Sequence, residues 1–255
     1  MPANAASDLH QLSPMPDRED GMAAAGFDSA TPFRILTVCT MNICRSPALE
    51  VTLQDAAANC PGLSPGAVVV SSAGTHATPG APSCDIAQAH VGRSSRDQTA
   101  LQLTGEMLAA ADLVITAERK HADAVASIST EFGRRCFPAR VAARLATWVV
   151  DSGSLEIAVR KTSGEVIEAD FAHPETLTDP LPSDPVARLR WLVAQMDGGR
   201  GLAPSPPTGN LPYGVEDIPD PHVLGFNLHE MSAEMIIAAV AEVSAAASVV
   251  LSAPA

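Results

Sequence analysis

The 255-residue chain has almost no lysine: only Lys120 and Lys161 occur, and arginine carries the rest of the positive charge. The formal net charge is -13 and the pI is near 4.8. With no basic cluster, binding of nucleic acid by neutralising its phosphates is excluded. Cysteine is sparse and scattered, at Cys39, Cys44, Cys60, Cys84 and Cys136, without a Cys-x-x-Cys pair. An odd number at such spacings argues against a disulfide framework and against a structural zinc site, and it fits a reducing cytoplasm. The first twenty residues carry Asp8, Asp17, Glu19 and Asp20 where a secretory signal would need an apolar segment. No run of about 18 apolar residues occurs, so no membrane span is expected. The Ala/Val-rich stretch from Ile236 is broken by Glu242 and reads as a helix packed on a core.

What is present is enough apolar residues, 46%, for one good core. Residues 1–32, rich in Ala, Pro, Asp and Met without periodicity, read as a disordered extension, and the true start of translation is left open. Residues 33–255 read as a single α/β domain. "RILTV" (34–38), "AVVVSSAG" (67–74), "DLVITA" (112–117) and "RRCF" (134–137) are candidate strands. Helical spacing marks 104–111, 139–150, 184–196 and 228–249. Strands alternating with helices predict a doubly wound, four-stranded parallel sheet with helices on both faces, a three-layer fold. A long helical and irregular insertion, 138–212, ends in the Gly/Pro-rich 198–212.

The most informative stretch is "VCTMNICRSP" (38–47). It falls between a strand's C-terminal edge and a helix start, with Ser46 as the expected N-cap and Pro47 in the first turn. Backbone N–H groups converge at such junctions and the helix dipole favours negative charge. A thiol there loses its proton more easily, and Arg45 offers a planar fork for two phosphate oxygens. The Cys39-x5-Arg45 spacing alone would arise by chance roughly 0.3 times in a chain of this composition. The preceding strand, the bracing Asn42 and the Ser-Pro start set it apart.

These residues resemble the signature of the low-molecular-weight protein tyrosine phosphatases, Cys-x-Gly-Asn-x-Cys-Arg-Ser. "SSAGT" (71–75), "ADLVITAERKH" (111–121) and "DIPDP" (217–221) resemble later family segments in the same order. The resemblance covers about 33–137 and 213–250. It implies a phosphomonoesterase acting on a phosphorylated protein or a small phosphomonoester, without metal or other cofactor. It makes Cys39 the nucleophile, Arg45 the phosphate clamp and Asp220 the general acid. Thr40, Met41, Asn42, Ile43 and Cys44 would complete the phosphate loop, Ser46 would donate to the sulfur, and Asn42 and Ser72 would hold the loop's shape. Cys44 would be a redox partner of Cys39.

Several positions depart from the family. Met41 replaces a common glycine and would be strained if its φ is positive. Thr78 and His222 stand where aromatics usually wall the pocket; Trp148, Trp191 and Tyr213 are candidates for a substitute wall. Gln98 and Leu101 replace a His and an Arg, with loss of a supporting hydrogen bond expected. Asp217 competes with Asp220 as the acid, whereas His76, Cys84 and Cys136 read as structural. Two other readings stand beside hydrolysis: an arsenate reductase on the same scaffold, and a catalytically weak phosphate-binding module.

Overall fold

In the computed structural model, which describes residues 31–92, 98–207, 213–225 and 228–254, the four apolar β-forming runs make one parallel sheet. β1 (Phe33–Cys39), β2 (Val68–Gly74), β3 (Leu113–Thr116) and β4 (Cys136–Pro138) lie in the order β2-β1-β3-β4. Cys39 pairs with Gly74 on one side of β1, and Ile35 with Leu113 on the other. Parallel neighbours require crossovers, and helices supply them. α1 (Arg45–Ala58), α2 (Asp85–His90), α3 (Gly105–Ala110), α4 (Arg119–Ile128) and α5 (Thr130–Arg134) precede β4. After it come α6 (Ala139–Asp151), α7 (Ser154–Thr162), α8 (Pro185–Gly198), α9 (Pro221–Leu224) and α10 (Leu228–Ser252).

The strands are apolar at nearly every position because both faces are covered. Alternate residues feed two cores. Phe33, Ile35, Ile115 and Phe137 join one core with residues of α1, α6, α8 and α10, including Leu49, Leu145, Leu192 and Ile236. Leu36, Val38, Val114 and Cys136 pack on the other side against Leu108 of α3 and Val125 of α4. The expected three-layer, doubly wound sheet is therefore present.

The differences are local. α2, α5 and α7 were not foreseen, being too short for a 3.6-residue pattern to repeat convincingly. α4 was hidden behind a charged first turn, Arg119-Lys120-His121. α1 begins at Arg45 with Cys44 as its N-cap residue and no capping side chain, so Ser46 lies inside the first turn and its hydroxyl is free for another task. α10 is long and apolar enough by composition to suit a bilayer, and one of its faces packs on α1, α6 and α8, as expected of a core helix. Of the extension expected over 1–32, residues 1–30 lie outside the described residues, as do 208–212 of the Gly/Pro-rich stretch.

Candidate active site

β1 runs between β2 and β3, so its C-terminal end is the point where the chain's crossovers diverge, the usual crevice of such sheets. Cys39 ends β1 and is buried there. Its Sγ accepts hydrogen bonds from the Asn42 N–H (3.3 Å) and the Ser46 hydroxyl (3.1 Å). Asn42 is the brace of the loop. It adopts a left-handed φ of 56°, alone among the described non-glycine residues. Its Nδ2 donates to Ser46 Oγ (2.9 Å) and Ser72 Oγ (2.8 Å), and its Oδ1 accepts from the Leu101 N–H (2.7 Å). Asn tolerates this conformation better than most residues. The strain considered for Met41 is thus absent, because the left-handed turn comes one residue later. Met41 itself is 37% exposed at the loop's rim.

Gly74 shows why "SSAGT" carries a glycine: a Cβ there would come within 2.6 Å of the Thr40 carbonyl oxygen. The loop lies directly on the end of β2. The supporting hydrogen bond expected to be lost is also present in another form. Gln98 Nε2 donates to Glu50 Oε2 (2.5 Å) and to Ser72 Oγ (3.4 Å), and Leu101 contributes its backbone rather than a side chain. Burial raises the Glu50 carboxyl above its ordinary pKa.

Thr40 is tied to α4. The Glu118 N–H donates to His121 Nδ1 (3.2 Å), so the neutral ring carries its proton on Nε2 and donates it to Thr40 Oγ1 (2.9 Å). Burial, reinforced by Arg45, holds the His121 pKa down at about 4. The ring is therefore neutral at physiological pH.

Arg45 is 2% exposed and faces two carboxylates. Its Nη1 donates to Glu118 and to the Ile218 carbonyl (2.9 Å), and Nη2 donates to Asp220 Oδ2 (2.5 Å). Burial pushes the Glu118 carboxyl up, but the Arg45 charge and hydrogen bonds outweigh it and leave the pKa below the ordinary value. Glu118 was missed from sequence. Its only signal was an acidic residue just past β3, opening the capping box that includes His121.

The two candidate acids have different surroundings. Asp217 accepts the Arg119 N–H (2.7 Å) and the Gly214 N–H (3.2 Å), which organises its own loop. Asp220 faces Arg45, with its Oδ1 on the His222 N–H (3.0 Å). The loop between them is anchored by the Ile218 N–H on the Ala117 carbonyl and by the Ser232 hydroxyl on the Pro219 carbonyl, each 2.8 Å. The geometry thus brings Cys39, Arg45, Asn42, Ser46, Ser72 and Asp220 together and leaves Asp217 to structure.

Of the remaining loop residues, Ile43 accepts the Cys84 N–H (2.5 Å) through its carbonyl. Cys44 is buried, and burial together with neighbouring Cys84 raises its thiol pKa far above the ordinary value. His76 is a loop residue whose N–H bonds the Thr40 carbonyl (2.8 Å). Cys136 belongs to the second core, and burial pushes its thiol up to about 12. The tryptophans do not replace the missing aromatic wall. A Cβ on Gly199 would lie 2.6 Å from the Trp148 ring, and Trp191 is buried with its indole N–H on the Asp179 carbonyl (3.1 Å). Both serve the core beside α8. Tyr213 remains, its hydroxyl 3.5 Å from Met231 Sδ.

Residues 34–158 match the family described as low molecular weight phosphotyrosine protein phosphatase. The match includes the phosphate loop, Glu118 and all four strands; it stops before the Asp220 loop, so that loop's place rests on its geometry. It also runs through α6 into α7, further than the segment-by-segment resemblance. Solved structures similar to the chain include YwlE arginine phosphatase from Geobacillus stearothermophilus, with 18% identity, 84% of this chain and 92% of that one covered, and a TM-score of 0.47. The tyrosine phosphatase AmsI of Erwinia amylovora is 20% identical over 85% of this chain and 94% of its own, with a TM-score of 0.48. Wzb of Vibrio vulnificus in complex with benzylphosphonate is 18% identical over 84% and 99%, with a TM-score of 0.48. No curated protein matches the chain.

Proposed function

Residues 34–158 make this chain a member of the low molecular weight phosphotyrosine protein phosphatase family, and on that premise we propose that it hydrolyses phosphomonoesters through a cysteinyl-phosphate intermediate. One observation carries the reading: a buried sulfur, Cys39 Sγ, receives two hydrogen bonds at the base of a loop that leads into a buried arginine. The donors stabilise a thiolate, and the first N–H groups of α1 have no intrahelical acceptor, which leaves them for an anion.

The chemistry follows from the two carboxylates on Arg45. Glu118 holds the guanidinium in place, and an arriving phosphate displaces Asp220 from Nη2. Freed from the Arg45 cation, Asp220 takes up a proton from solvent and serves as the acid. The Cys39 thiolate attacks phosphorus; the P–S bond forms as the P–O bond breaks, and the Asp220 proton goes to the leaving oxygen. In the second step water attacks phosphorus, Asp220 takes its proton, and the leaving thiolate is received by the Ser46 hydroxyl and Asn42 N–H. Arg45 and the loop amides neutralise the equatorial oxygens in both steps.

The substrate is a phosphorylated protein or a small phosphomonoester. With Thr78 and His222 in place of aromatics, the phosphate rather than the ring supplies most of the recognition. The five free cysteines support a reducing compartment such as the cytoplasm. Turnover of p-nitrophenyl phosphate tests the reading. Cys39→Ser should fall to background while still binding vanadate, and near-normal turnover by that variant would sink the mechanism.

A further inference from the structure

Four chain segments that are distant in sequence converge beside the phosphate loop. Cys44 ends the loop, Cys84 precedes α2, His222 lies in α9 and His229 begins α10. One ligand atom from each, two sulfurs and two ring nitrogens, all lie within 4.8 Å of one another. We propose that Cys44, Cys84, His222 and His229 form a binding site for a single zinc-class cation, with two thiolate and two imidazole ligands.

The geometry is already near the requirement. With Zn–S of ~2.3 Å and Zn–N of ~2.0–2.1 Å, a tetrahedral ion separates a sulfur from a nitrogen ligand by roughly 3.6 Å. Cys84 Sγ and His229 Nε2 are 3.5 Å apart. The His222 and His229 rings meet edge-on, with planes at 85° and centroids 5.0 Å apart, so they approach a common point from different directions rather than stacking. His222 is exposed at the open side of the cluster. Cys44 and His229 are buried, and the Cys84 N–H on the Ile43 carbonyl fixes that cysteine against the loop.

Ligand chemistry selects the ion. Soft thiolates with imidazoles favour zinc over magnesium or calcium, which take oxygen ligands. On coordination the two thiols release their protons to solvent, and two thiolates leave a divalent ion neutral overall. Four protein ligands close the shell, which marks a structural rather than a catalytic ion. The bound ion would link the phosphate loop to the segment just after Asp220 and would hold Cys44 away from a disulfide with Cys39. The lack of a Cys-x-x-Cys pair, taken above as an argument against zinc, carries no weight when each ligand comes from a different element.

The test uses the full-length, reduced protein in a Cys39→Ser background, so that the catalytic thiol cannot bind metal. Zinc is titrated against a chromophoric chelator, and cobalt(II) serves as the spectroscopic probe. One equivalent of zinc is expected, with tetrahedral cobalt bands and sulfur-to-cobalt charge transfer. Cys84→Ser and His229→Ala, each checked for native circular dichroism, should each weaken zinc binding by at least ~100-fold. If either variant misfolds, the cobalt spectrum of the Cys39→Ser protein decides alone. No stoichiometric binding in that background, cobalt bands without thiolate charge transfer, or affinity unchanged in folded Cys84→Ser and His229→Ala variants would overturn the site. So would a Cys44–Cys84 disulfide that forms in freshly purified protein and excludes zinc.

Discussion

The phosphate loop at 39–45 and the acid loop at 214–225 face each other across Arg45, yet they are built in opposite ways. The first is short, buried apart from its rim at Met41, and held by a contiguous motif: Asn42 alone makes three side-chain hydrogen bonds within or beside it. The second is held by scattered long-range contacts to Ala117 just past β3 and to α4, α6 and α10, and carries the exposed residues His222, Val223 and Leu224. Phosphoryl transfer through cysteine, as proposed above, would call for this difference. The nucleophile and anion cradle gain from rigidity. In the proposed mechanism the acid leaves Arg45 when phosphate arrives, and the contacts that pin its loop fall on Val215, Glu216, Asp217, Ile218 and Pro219 rather than on the Asp220 side chain, which can turn.

The contrast is broken most severely at the residue common to both loops. Arg45→Ala should reduce turnover to background, abolish vanadate binding, and destabilise the fold by about 3–5 kcal/mol, since Asp220 loses its cation and Glu118 keeps only the exposed Lys120. Urea denaturation of the variant measures the last effect; unchanged stability would mean the two carboxylates do not depend on Arg45.

Next in size is the division of labour between the aspartates. Asp220→Asn should lower kcat on a phenyl phosphate by ~10²–10⁴-fold. Asp217→Asn should chiefly loosen the loop, costing about 1–2 kcal/mol of stability, because the amide keeps one acceptor and sets an NH2 donor against the other backbone N–H, at Arg119 or Gly214. A larger kcat loss from Asp217→Asn would exchange the roles.

Asn42 sharpens the argument for a rigid loop. Asn42→Gly keeps the left-handed φ at no steric cost but loses the bonds, for a loss of roughly 2–4 kcal/mol. Asn42→Ala should be worse by about 1 kcal/mol from backbone strain. Equal melting temperatures for the two variants would show that φ contributes nothing.

The most gradual effect is set by pH. His121 is neutral in the folded chain, at about 4 against an ordinary 6.5, so protonation favours the unfolded state. Glu118, lowered in the fold, acts in the same direction below its ordinary value of 4.5. Stability should be whole at pH 7 and decline from about pH 6.5 toward 4, by up to roughly 3 kcal/mol for His121. His121→Gln should flatten that decline. Superimposable melting profiles of wild type and variant over this range would assign it elsewhere.

The sequence by itself determined the elements whose cause is local. The apolar runs at 34–38 and 67–74 had to become buried strands, because both their periodicity and residue types demand it. Cys39, Arg45 and Ser46 had to meet, because seven to eight residues of strand-to-helix turn leave little freedom. Asp220 was readable only through its neighbour proline and a resemblance. Tertiary structure decided the partners contributed by other elements. Glu118 and His121 come from the far side of β3, Gln98 and Leu101 from the segment after α2, and the Asp217–Asp220 choice from which carboxylate reaches Arg45. It also decided that Trp148 and Trp191 belong to the core and that Cys44 and Cys84 share one corner with two histidines. Such pairings follow from how helices pack on the sheet, and packing depends on every apolar face at once rather than on spacing along the chain.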